Sequence, residues 1–187
     1  MSKYDPKHSA FLDSEERKDR LSPEKVISIL NLEKDDHVLD LGAGTGFLAF
    51  PISEIVEKGK VYAIDVQEEM LQELEKKCDE KDCENIEIIL SKEGDIPISE
   101  DKIDKSYLMN VLHEIEDIET LDEIFRVMKK DGEICIVDWD KEVLTERGPP
   151  SHERFRLQEA VDLLEEHGFK ITEKGKWEDH YWMKGKR

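Results

Sequence analysis

Apolar and polar residues along this chain fall into blocks whose period switches between that of a buried strand and that of an amphipathic helix. Ser22, Pro23 and Glu24 have the residue types that cap and open a helix, and Val26, Ile27, Ile29 and Leu30 supply its apolar face. The run His37, Val38, Leu39, Asp40, Leu41 is short, apolar and ends in glycines, which predicts a strand and a tight turn. Helical spacing returns over 47–56, with Pro51 in the first turns where it is tolerated. The same beat predicts a strand over 60–65, a helix over 68–78 and strands over 86–90 and 103–109. A helix over 118–128 and the most apolar strand, 133–138, follow. After a loop over 139–154 that carries Pro and Gly, a helix over 155–167 ends at Gly168, a C-cap residue, and strands over 169–174 and 179–184 come last.

Strands alternating with crossover-length helices specify a parallel, doubly wound sheet. The two closing strands are joined by a short segment containing Gly175 and Lys176, so they pair as a hairpin and one must run against the rest. The expectation is therefore an α/β fold with a doubly wound, mainly parallel seven-stranded sheet and one antiparallel strand near the C-terminus. At 187 residues the chain fits one domain, with 1–34 as an N-terminal helical extension.

Charge narrows the partners. Lys+Arg 28 against Asp+Glu 47 leaves a net charge of −19, which disfavours nucleic acid and anionic membranes. No apolar stretch approaches the ~20 residues of a membrane helix, and no leader-like segment follows Met1, so a cytoplasmic location is expected. Cys78, Cys83 and Cys135 are odd in number and lack C-x-x-C spacing, so neither a disulfide framework nor a metal site is implied.

Three glycines, Gly42, Gly44 and Gly46, lie between an apolar strand and a helix N-terminus, where outward N–H groups and the helix dipole favour an anionic ligand group. A dinucleotide fingerprint needs its third glycine at position 47, which is Phe47, so a nicotinamide-dependent dehydrogenase is disfavoured. Asp40-x-Gly42-Ala43-Gly44-x-Gly46 instead resembles the D-x-G-x-G-x-G signature of class I S-adenosylmethionine-dependent methyltransferases, and the resemblance runs along nearly the whole chain. Arg126 to Glu133 is similar to the family's R-V-L-K-P-G-G turn, with Asp131 in place of Pro.

The resemblance implies a Rossmann-like methyltransferase fold with S-adenosylmethionine as cofactor. Asp65, at a strand end, takes both ribose hydroxyls; the alternative is a cap for the next helix. Val66 packs on the adenine. Lys92 stands where the family's acidic adenine partner is commonest, leaving Glu93, Asp95 or backbone to serve. Asn110, Leu112 and His113 match an N-x-L-H segment that family members place beside the donor methionine and the acceptor, and no N-P-P-aromatic segment of base-methylating enzymes is present. His113 is the catalytic candidate, or else a loop imidazole satisfied by a neighbour. Trp139, Arg147, His152 and Arg154, with Tyr4, His8 and Phe11, are the expected acceptor walls. The plan looks like the small-molecule branch, akin to ubiquinone/menaquinone and arsenite methyltransferases, so the partner expected is a small-molecule acceptor. Its cysteines are not placed for arsenic chemistry. A noncatalytic module that binds S-adenosylmethionine is the competing reading.

Overall fold

The computed structural model describes residues 20–187. A short helix α1 (Pro23–Ile27) is followed by β1 (His37–Leu41), α2 (Ala49–Ile55), β2 (Lys60–Asp65), α3 (Glu68–Lys81) and β3 (Ile86–Leu90). Then come β4 (Ile103–Met109), a 3-10 turn (Leu112–Glu114), α4 (Glu119–Val127), β5 (Met128–Trp139), α5 (Leu157–Glu166), β6 (Lys170–Lys176) and β7 (His180–Lys186). The seven strands lie in the order β3-β2-β1-β4-β5-β7-β6. β7 pairs antiparallel with both β5 and β6, so it alone runs against the sheet. The expected architecture is therefore the observed one.

Period-2 side-chain alternation divides the core between the two faces of the sheet. Leu39, Leu41, Ile64, Ile134 and Ile136 meet α4 and α5 through Leu121, Ile124, Val161 and Leu164. Val38, Val61, Ala63, Cys135 and Val137 meet α1, α2 and α3 through Val26, Ile27, Ile52 and Leu74. Both sides are covered, which is why the central strands carry apolar residues at nearly every position. Tyr107, fully buried in β4, donates its hydroxyl to the Ile27 carbonyl at 2.9 Å and so fastens the leading helix to the sheet.

Several boundaries differ from expectation. The helix sought over 47–56 starts at Ala49, because the glycine turn continues through Phe47. α3 runs on to Lys81 and stops where Asp82 turns left-handed at φ 53°. The turn expected at 126–133 is instead the start of β5: Ile103 pairs with Met128 and Lys105 with Glu133, so Asp104 alone faces residues 129–132 across a bulge. Asp131 adopts φ 65° there, and Lys129 reaches back to Asp104 at 2.7 Å. The part of the expected extension before residue 20 lies outside the described residues. Among the described residues no helix is long and apolar enough to cross a membrane.

Candidate active site

In this strand order the chain leaves β1 toward β2 on one side and reaches β4 on the other, so the connections diverge at the carboxyl ends of β1 and β4. Open α/β sheets bind ligands at such a switch point. A cavity of about 600 Å³ lies there, walled by the ends of β1, β2 and β4, the loop after β3, the 3-10 turn and the loop after β5. Asp40, Gly42, Ala43, Gly44, Asp65, Val66, Lys92, Glu93, Asn110 and His113 all line it. The fold thus brings together expected site residues as far apart in sequence as Asp40 and His113.

The glycine turn does not present the anion cradle expected of it. The N–H groups of Gly42 and Ala43 donate to the Ile64 carbonyl, Gly46 N–H donates to Ala43 O, and Gly44 N–H donates to Asp65 Oδ2 at 2.8 Å. These donors are consumed because the loop folds back onto the end of β2. What the glycines supply is close approach: Gly42 sits at φ +70°, and a side chain there would collide with Val111 of the cavity wall. Gly46, at φ +92°, is absent from the described wall and instead makes room for the Phe50 ring.

Asp65 is buried and held from two sides, Oδ2 by Gly44 N–H and Oδ1 by Gln67 N–H at 2.9 Å. It therefore braces the turn and the start of α3. A carboxylate oxygen can accept more than one hydrogen bond. Val66 beside it is 38% exposed, a large apolar side chain left open at the cavity mouth. Lys92 lines the wall and forms an isolated bridge with Asp95. Glu93 does more than face the cavity: its Oε2 accepts from Glu116 N–H at 2.8 Å and Asp117 N–H at 2.7 Å, tying the loop after β3 to the segment before α4.

Asn110 turns left-handed at φ 59° directly after β4, and its Oδ1 is buried with no partner among the described residues. A buried carbonyl oxygen without a partner is rare in a folded protein, and Asn110 lines the cavity. His113 follows on the 3-10 turn. Its Nδ1 lies 2.7 Å from Asp138 Oδ1, and its backbone N–H donates to Asp138 Oδ2 at 3.1 Å. Trp139 N–H also donates to Asp138, and Glu114 lies 3.7 Å from His113 Nε2. Burial of the ring pushes its pKa down, but the charge and hydrogen bond of Asp138, with Glu114 adding to them, push it up further, and the net shift is upward. Asp138 was missed from sequence. Its signal was a carboxylate ending the most apolar strand, where an acid must have a partner.

The loop 139–154 covers one end of the cavity with Trp139, Arg147, Gly148, Pro149 and Pro150, and Arg20 joins them. Two expected wall residues are placed elsewhere. His152 is exposed and off the described wall. Arg154 is buried behind the loop, donating to the carbonyls of Pro149, Arg147 and Val143 at 2.8, 2.6 and 3.3 Å. It shapes the loop because its fork of donors takes up carbonyls that no strand pairs. Arg20 was not anticipated at all, and Tyr4, His8 and Phe11 lie outside the described residues.

Residues 32–183 match the family model described as a methyltransferase domain. A solved S-adenosylmethionine-dependent methyltransferase from Aquifex aeolicus is similar over 98% of this chain and 99% of its own, at 33% identity and a TM-score of 0.92. The ubiquinone/menaquinone biosynthesis C-methyltransferase UbiE of Francisella tularensis subsp. novicida is 29% identical over 128 residues, 67% of this chain and 51% of that protein. An arsenite methyltransferase of Halobacterium salinarum is 29% identical over 105 residues, 54% of this chain and 26% of that protein. The chain thus spans about half the length, or less, of these curated relatives.

Proposed function

Because the chain belongs to the class I S-adenosylmethionine-dependent methyltransferases, we propose that it transfers the methyl group of S-adenosylmethionine to a small-molecule acceptor, acting as a single domain in the cytoplasm. The observation that carries this reading is one cavity with a braced carboxylate, Asp65, toward one end and a carboxylate-held imidazole, His113, toward the other.

The residues present fit the donor. Asp65 would accept the ribose hydroxyls, Val66 would cover the adenine, and Lys92 and Glu93, also on the wall, would lie nearest its amino group. Asp40, Ala43 and the unpartnered Asn110 Oδ1 would face the amino-acid portion, with Gly42 and Gly44 allowing close approach. When bound, S-adenosylmethionine supplies an electrophilic methyl carbon on a sulfonium. The protein's part is then to align the acceptor, exclude water and, for a weakly acidic acceptor, take a proton. In the neutral ring, Nδ1–H donates to Asp138 and leaves Nε2 as the proton acceptor, the tautomer that a carboxylate partner enforces. The loop 139–154, pinned by Arg154, closes the acceptor side.

Arsenite is not the acceptor proposed, since none of the chain's three cysteines lies on the described wall. Calorimetry with S-adenosylhomocysteine tests the donor half, and a panel of acceptors scored by S-adenosylhomocysteine release tests the transfer. Donor binding without turnover of any acceptor would favour the noncatalytic module instead. No heat and no thermal stabilisation at millimolar ligand would remove the reading, because a ligand that binds only the native state must stabilise it.

A further inference from the structure

Arg20 and Arg147 line the cavity beside Trp139, at the carboxyl end of β5. Strands β2, β1, β4 and β5 stand in that order, so at roughly 4.8 Å per strand the arginine end lies about 14 Å along the sheet edge from Asp65.

The Arg20 side chain is nine-tenths buried, and neither its Nε nor its Nη1 has a hydrogen-bond partner among the described residues. Asp179 is in ion-pair range of both arginines: its Oδ2 lies 3.9 Å from Arg20 Nε and 4.0 Å from Arg147 Nη1. Neither distance is a hydrogen bond. Among the acids on this side, Asp138 and Glu114 face His113, Asp140 faces Lys176, and Asp179 Oδ1 lies 2.7 Å from His180 Nδ1. Two guanidinium groups therefore share one oxygen and keep their donors.

A buried guanidinium with unmet donors is unfavourable until an anion completes it. A carboxylate presents two coplanar oxygens that match the guanidinium fork.

We propose that the methyl acceptor is a carboxylate with an apolar body, its anionic group received by Arg20 and Arg147 and its body lying against Trp139, Pro149 and Pro150. The inference rests on the donor reading above and adds the chemical class of the acceptor.

The test uses the protein saturated with S-adenosylhomocysteine. Benzoate, indole-3-acetate and hexanoate are titrated calorimetrically, each beside its primary amide, with phenyl phosphate as a dianionic control. At least one carboxylate is expected to bind ten-fold or more tightly than its amide and more tightly than phenyl phosphate. Arg20→Gln and Arg147→Gln should each reduce that preference to three-fold or less, Arg20→Lys should restore part of it, and S-adenosylhomocysteine affinity should stay within two-fold throughout. Normal S-adenosylhomocysteine binding with no carboxylate preferred over its amide overturns the proposal, as does a preference that survives Arg20→Gln. Tighter binding of phenyl phosphate assigns the site to phosphate instead. A loss of S-adenosylhomocysteine affinity in Arg20→Gln gives the guanidinium to the donor's own carboxylate and equally overturns it. Failure of the wild-type protein to bind S-adenosylhomocysteine is a different result: it removes the donor reading, and this inference with it.

Discussion

Replacing Asp65 by Ala should damage the fold and the donor site by separable amounts. In the folded chain this buried carboxylate accepts Gly44 N–H at 2.8 Å and Gln67 N–H at 2.9 Å. Alanine leaves both donors without that partner. A buried donor left unsatisfied costs about 1–3 kcal/mol, so the ligand-free protein should lose roughly 2–6 kcal/mol. For a chain of this size that corresponds to a fall in Tm of roughly 5–20 °C. Affinity for S-adenosylhomocysteine should fall separately by about 1–3 kcal/mol, or roughly 5- to 150-fold, as the ribose hydroxyls lose a charged acceptor. Asp65→Asn keeps one acceptor oxygen, so its Tm should lie between the two while its affinity stays weakened. Thermal unfolding without ligand gives the first quantity, and calorimetry well below the variant's Tm gives the second. A large fall in Tm with affinity changed less than two-fold would show that Asp65 is a brace alone. An unchanged Tm would refute the brace.

His113→Ala should lower kcat on the order of 100-fold while sparing S-adenosylhomocysteine affinity, as expected of a positioned proton acceptor, and measurement of both on one acceptor checks it. Its raised pKa means that turnover should climb as pH rises past a value above the ordinary histidine 6.5, and a pH–kcat profile with no such limb contradicts the role. The same shift has the opposite sign for stability. A pKa raised on folding stabilises fully below about pH 6.5 and ceases to do so as pH rises through the folded value, so the Tm difference between wild type and His113→Gln should shrink between neutral and alkaline pH. Gly148→Val places a Cβ 2.5 Å from the Trp139 ring at φ +72°, which should shift the loop, alter Trp139 fluorescence and slow turnover with donor affinity spared. Tyr107→Phe removes the hydrogen bond to Ile27 O and should cost about 1–3 kcal/mol by denaturant unfolding.

The sequence by itself determined the sheet and those residues of the candidate site that depend on local geometry. Runs such as Val38 to Leu41 and Ile134 to Val137 are apolar at nearly every position because both faces of the sheet are covered, and the closing hairpin forces one of its two strands to reverse, which in the structure is β7. Asp65 and the glycine turn could be placed on the cavity wall from sequence because they follow strand ends directly, a local pattern. Where the partner of a group is distant in sequence, the pattern carried no information. The Asp138 that holds His113 is 25 residues away. The carbonyl that takes the Gly42 and Ala43 donors belongs to Ile64, on the neighbouring strand β2. Arg154 reads as one more loop cation, and only the folded loop shows its guanidinium turned away from the cavity onto backbone carbonyls. Arg20 had no motif at all. Its place beside Trp139 follows from how α1 docks on β4 through Tyr107 and Ile27, and a hydrogen bond between residues 80 apart is a consequence of packing that no local spacing encodes.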